Sequence, residues 1–105
     1  MSELELDGFD WDDGNRAKCQ SHDLSIEQIE GLFLGSPLVI NDVGHSSEEV
    51  RLKAVNRLDD GRTALVVFTL RRREGRLLAR PISARYMHAK EIARYEQAVA
   101  DIDDR

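Results

Sequence analysis

Apolar residues recur along this chain in two rhythms, and the change from one to the other divides it into elements. Asp12 to Gln20 reads as a first helix, capped by Asp12 or Asp13 with carboxylates at its positive end. Ser25 with Gln28 three residues on is a capping box, and Ile26, Ile29 and Phe33 make the buried face of a second helix that Gly35-Ser36-Pro37 ends. Leu38 to Asn41 is a short strand before the turn Asp42-Val43-Gly44. Glu49 to Arg57 alternates, with Val50, Leu52 and Ala54 on one face and Glu49, Arg51 and Lys53 on the other. Asp59-Asp60-Gly61 signals a hairpin into Thr63–Leu70, which is apolar almost throughout and belongs at the centre of a sheet. Glu74-Gly75 turns the chain into a fourth strand containing Leu77, Leu78, Ala79 and Ile82. The rhythm then lengthens: Ile92, Tyr95, Val99 and Ile102 form one helical stripe. The predicted class is α+β, with two N-terminal helices, a four-stranded mainly antiparallel sheet and a C-terminal helix, the helices packed on one face.

Pro81 conflicts with this pattern, because it has no N–H to give a central strand. Strict alternation would also put Arg80 on the side of Leu78 and Ile82. One extra residue at Arg80-Pro81 resolves both problems. Such a bulge keeps Leu77, Ala79, Ile82 and Ala84 inward and leaves Arg80, Ser83 and Arg85 together on the open face.

At 105 residues the chain suits one domain, residues 1–9 being a short lead-in that frays and 10–102 the folded part. No apolar run approaches the ~20 residues of a membrane span. The acidic N-terminus does not resemble a targeting signal, and the single cysteine, Cys19, has no partner for a disulfide; a cytoplasmic protein is expected. Cys19 and His22 make a C-x-x-H pair without the further ligands zinc needs, so no metal or cofactor is expected.

The formal net charge of −5 argues against a general nucleic-acid binder, but it averages two unlike regions. Residues 1–13 hold six acids and no base, whereas residues 71–94 hold eight Lys/Arg against two acids. That basic run is either a solvated face or a phosphate-contacting patch, with the acidic arm elsewhere or opposing it. At its centre, where strand gives way to helix, stand Ser83, Arg85, Tyr86 and His88, a junction able to hold a cation and hydrogen-bonding groups on rigid supports.

Several blocks carry a family resemblance. F-D-W-D-x-G-N-x-x-K-C-x-x-H from Phe9 to His22 and L-S-I-E-x-I-E from Leu24 to Glu30 open it. H-S-x-x-E-x-R from His45 to Arg51, V-F-T-L-R to Arg71, R-P-I-S-A-R-Y-M to Met87 and E-I-x-R-Y-E from Glu91 to Glu96 continue it in order. Together they resemble the BrnT family of bacterial toxins. Asp23, Val50 and Asn56 depart from the family's pattern. The resemblance implies a RelE-like ribonuclease toxin that halts translation by cutting RNA. It also implies a BrnA-type ribbon-helix-helix antitoxin partner, two toxins assembling with two antitoxins, with DNA met only through the antitoxin.

Metal-free RNA cleavage uses the neighbouring 2′-hydroxyl as nucleophile, so the protein must supply a base, an acid and fixed positive charge for the phosphorane. Arginine's planar fork suits that last task. Arg85 and Arg71, each ending a strand, are the first candidates for the clamp, if register brings them to one rim. Arg51 and Glu49 share a strand face as a catalytic or a structural pair. His22 either titrates in catalysis or closes the first helix. Lys18, Arg80, Tyr86 and His88 are candidate RNA contacts, and Tyr95 is a packing residue. The competing readings are a catalytically silent module that binds the antitoxin as co-repressor, and direct DNA binding through the 71–94 run.

Overall fold

The computed structural model describes residues 5–42 and 50–103. Along the chain run β1 (Gly8–Phe9), α1 (Asp13–Cys19), α2 (Ile26–Leu34), β2 (Leu38–Asn41), β3 (Leu52–Arg57), β4 (Thr63–Arg73), β5 (Arg76–Tyr86) and α3 (Ala89–Asp103). The strands form one sheet in the order β1-β5-β4-β3-β2. β2 to β5 are antiparallel neighbours, but β1 lies parallel to β5, Gly8 opposite Leu78 and Phe9 opposite Ala79. The expected four-stranded, mainly antiparallel sheet entered from two helices is thereby corrected: among the described residues the sheet is five-stranded and mixed, and a short strand precedes the first of the three helices. A two-residue strand is too short for alternation to reveal. It is held by the Asp7 and Asp10 N–H groups donating to the Leu77 and Ala79 carbonyls, both at 2.8 Å.

Register divides the sheet into two faces. Ala64, Val66 and Phe68 of β4, Ala54 of β3 and Ala79 and Ala84 of β5 point to one face, where they meet Cys19, Leu24, Ile29, Leu32 and Phe33 of the helical layer. Phe33 is the hub, edge-on to Phe9 at 5.5 Å and to Phe68 at 4.9 Å between ring centroids. Trp11 packs at the margin of this core and its Nε1 donates to Glu30. Burying these side chains stabilises the fold by roughly 1.5–3 kcal/mol for each large one. The far face carries Lys53 and Val55 of β3, Leu65, Thr69, Arg71 and Arg73 of β4, and Leu78, Arg80, Ser83 and Arg85 of β5.

The bulge at Pro81 is present, one residue further on than expected. Val67 pairs with Ser83 and Phe68 with Pro81, leaving Ile82 as the extra residue. Pro81, not Ile82, is therefore the buried member, and Arg80, Ser83 and Arg85 share the far face. The helices are not confined to one face either. α1 packs against β5 and α2 against β3, but α3 is tied by Glu91 to Arg85 on the far side, and none of its described side chains is buried.

Local chemistry explains the boundaries. Asp12 and Asn15 form a capping box on α1, and Ser25 and Gln28 form the one on α2. Glu74 and Gly75 both have positive φ, at 54° and 77°, the signature of a two-residue primed turn between β4 and β5. Asp23, a departure from the family pattern, has φ 68°, a conformation that glycine adopts without steric cost and aspartate tolerates. Asn56, another departure, donates from its Nδ2 to the Leu32 and Gly35 carbonyls at 3.2 and 2.9 Å, closing the end of α2 onto β3. Asn56→Ala is expected to lower stability by about 1–2 kcal/mol, read from the midpoint of urea unfolding. Val50, the third departure, is 71% exposed and lies outside β3, which begins only at Leu52.

Candidate functional site at the strand–helix junction

Arg85 ends the far face of β5 and Glu91 stands in the first turn of α3. The two form a bidentate pair, Nη1 to Oε1 at 2.8 Å and Nη2 to Oε2 at 2.7 Å. Glu91 also accepts from the backbone N–H of His88 at 3.0 Å, the helix-capping half of a capping box. Arg85's hydrogen bonds, then the His88 N–H, hold the Glu91 carboxyl down at about 2, so it is ionised at neutral pH. That pairing in turn raises the Arg85 guanidinium above its ordinary range. Arg85, Glu91 and the backbone N–H of His88 thus form one hydrogen-bonded constellation on two rigid supports.

Because the folded carboxyl sits below its ordinary 4.5, its pairing stabilises the junction above that pH and is lost as pH falls toward 2. Acidification across that window is expected to free the start of α3 before the sheet unfolds. Amide exchange at residues 88–92 should accelerate there first, and Glu91→Gln should abolish the pH dependence of that step.

The remaining candidates are distributed as follows. Arg71 pairs with Leu78 and Arg85 with Leu65, so both point to the far face. Leu65 and Arg71 are six residues apart on β4, which sets the two arginines roughly 20 Å apart at ~3.3 Å per residue. They flank a face and do not converge on one phosphate. Arg80 lies between them in sequence and on the same face. Lys18 and Arg80 border a shared cavity of about 340 Å³ with Asp12, Gly14, Asn15, Pro81 and Ile82.

Tyr86 takes the opposite face, paired with Ala64. Its hydroxyl donates to Asp60 at 3.1 Å and receives Gln28 Nε2 at 3.4 Å, while the Arg62 guanidinium lies 3.6 Å above its ring. These contacts engage the Tyr86 hydroxyl and one ring face within the protein. His22 is exposed on the turn between α1 and α2. Closing α1 falls instead to Gln20 and Ser21, which donate to the Arg16 and Lys18 carbonyls. Arg51 accepts the Asp42 N–H with its carbonyl just ahead of β3. Glu49 and His45 lie outside the described residues.

Cys19 is fully buried, and burial pushes its thiol up to about 11, so it is neutral and shielded. Among the described residues no group of three or more His, Cys, Asp or Glu is arranged to hold a metal ion, and no helix is long and apolar enough to cross a membrane. Sequence reasoning passed over Glu91, although its place three residues after His88 is the capping position. It also passed over Asp10, Asp12 and Arg73. Arg73 lies 3.3 Å from Asp10, and Arg80 lies 3.6 Å from Asp10 and 2.6 Å from Asp12.

Comparison with curated proteins gives no significant match. A family model described as the ribonuclease toxin BrnT of type II toxin–antitoxin systems matches residues 11–91, a span from Trp11 on the core margin to Glu91 at the junction. With a match over most of its length, the chain belongs to the BrnT family of ribonuclease toxins, whose type II systems pair each toxin with an antitoxin.

Proposed function

We propose that this chain is a metal-independent endoribonuclease that cuts RNA and so inhibits translation. The observation that carries this is the alignment of Lys53, Arg71, Arg73, Arg80 and Arg85 on the one sheet face that α1 and α2 leave uncovered. Such a row attracts a polyanion and holds its backbone in register. At one end, Arg85 supplies fixed charge for the phosphorane and Glu91 orients its fork. His88, the nearest imidazole in sequence, carries a proton to or from the reacting oxygens. The 2′-hydroxyl is the nucleophile, which removes the need for an activated water or a cofactor. Arg71, Arg73, Arg80 and Lys18 hold the flanking RNA.

The partner is a BrnA-like ribbon-helix-helix antitoxin, two toxins with two antitoxins, through which alone DNA is engaged; the setting is the bacterial cytoplasm. Incubating the purified protein with RNA in excess chelator tests the reading. Fragments ending in 2′,3′-cyclic phosphate are expected, and intact RNA over a wide range of enzyme concentration would overturn it.

One observation favours a second reading. Glu91 occupies both arms of the Arg85 fork, as a carboxylate would in a site no longer used for phosphate. The chain would then be a silent module that represses through its antitoxin. Stable complex formation with the adjacent gene product, without cleavage in the chelator experiment, distinguishes this reading from the first.

A further inference from the structure

The acidic arm and the basic strands, far apart in sequence, meet in the fold. β1 brings Asp7 and Asp10 alongside β5, and Asp12 follows as the cap of α1. Asp10 lies between Arg73 and Arg80 at 3.3 and 3.6 Å, Asp12 grips Arg80 at 2.6 Å, and the Asp7 carbonyl accepts from Arg76 at 3.1 Å. These contacts meet the side of the far face next to the cavity of about 340 Å³ that Lys18 borders.

The pairing is incomplete where it is most buried. Asp10 Oδ2, on a side chain only 14% exposed, has ionic neighbours but no hydrogen bond of good geometry. Thr69, the cross-strand partner of Arg80, is 1% exposed and its Oγ1 also has no hydrogen-bond partner. Unmade hydrogen bonds are uncommon in protein interiors, and both of these border Arg80. Arg73, with its side chain 63% exposed, meets Asp10 from the solvent side. A phosphodiester offers the same guanidinium groups charged oxygens with freer geometry.

We propose that Arg73 and Arg80 form a binding subsite for the RNA backbone, and that Asp10 and Asp12 occupy it in cis, so that RNA must displace carboxylates to engage. This rests on the reading of the chain as an RNA-cutting toxin. The acids act as a threshold: weak, nonspecific polyanions leave the arginines where they are, and only RNA held elsewhere along the face draws them away. The arm itself stays in place, because Phe9 is packed against Phe33 in the core. Only the side chains exchange partners.

The test is binding of a short fluorescein-labelled single-stranded RNA with 2′-O-methyl riboses, which cannot be cut. In Asp10→Asn/Asp12→Asn the cap on α1 is kept while both charges are removed. This double variant is expected to bind about tenfold more tightly at low salt, with a salt slope steeper by about 0.7 for each arginine released. Arg73→Ala, at an exposed position, should cancel much of the gain, and thermal unfolding checks that each variant is folded. If wild type binds RNA and folded Asp10→Asn/Asp12→Asn binds with the same affinity and slope, the subsite is wrong while the ribonuclease reading stands. If neither protein binds at any salt concentration, the ribonuclease reading itself has failed and the subsite with it.

Discussion

Arg85→Ala is expected to slow RNA cleavage by about 10²–10³-fold, the usual loss when one preorganised group facing a developing charge is removed. The fold should persist, since the side chain is 39% exposed and anchors only the start of α3. Arg85→Lys keeps the charge but not the fork, so it should recover only part of the activity. Loss of the pairing would also let the Glu91 carboxyl rise from about 2 toward its ordinary value, an effect visible by NMR titration. Full activity in Arg85→Ala would remove the junction from the mechanism and move attention to the Arg71–Arg80 end of the face. In cells, growth arrest on expression should disappear with the same substitution.

The second large effect is on the fold. Asn15 is 8% exposed and satisfies four partners at once. Its Nδ2 donates to the Asp10 carbonyl at 3.0 Å and to the Pro81 carbonyl at 2.9 Å; its Oδ1 accepts from the Asp12 N–H at 2.7 Å; its own N–H donates to Asp12 Oδ1 at 2.9 Å. One amide therefore fastens the start of α1 to the bulge of β5. Asn15→Asp would turn a carboxylate oxygen toward two carbonyls, costing about 3 kcal/mol or more at neutral pH. For a domain of this size that lowers Tm by about 10–20 °C. Ionisation is disfavoured in the folded state, so the variant's carboxyl is raised and stability should partly return as pH falls through that raised value. Asn15→Ala should cost less, about 2 kcal/mol, and show no such recovery. A loss below 1 kcal/mol in Asn15→Asp would mean that this amide is not the fastening.

Residues with local signals were legible in the sequence. Ser25 with Gln28, Asp59-Asp60-Gly61, Glu74-Gly75 and the apolar run of β4 each state their role within a few positions. The bulge was legible because Pro81 and Arg80 break a rule in adjacent positions, although the extra residue proved to be Ile82. β1 was not legible, because two residues carry no period and its pairing with Leu78 and Ala79 joins positions about two thirds of the chain apart. The separation of Arg71 from Arg85 follows from antiparallel pairing itself: each stands near the C-terminal end of its strand, and antiparallel neighbours place those ends at opposite ends of the ladder. Tyr86 looked available because its partners Asp60, Arg62 and Gln28 come from two distant segments. The opposition of acidic arm and basic strand was visible as a charge asymmetry, but only the parallel β1–β5 pairing gives it particular partners.

The sealed thiol of Cys19 offers a consequence of another kind. A sulfur that water and base cannot reach while α1 and α2 stay docked reacts with alkylating reagents only in molecules that have opened. Its labelling rate is thus an internal clock for how often the helical layer parts from the sheet. That clock can be read without a ligand, on the same sample used for cleavage, and it separates variants that are poor catalysts from variants that are briefly unfolded.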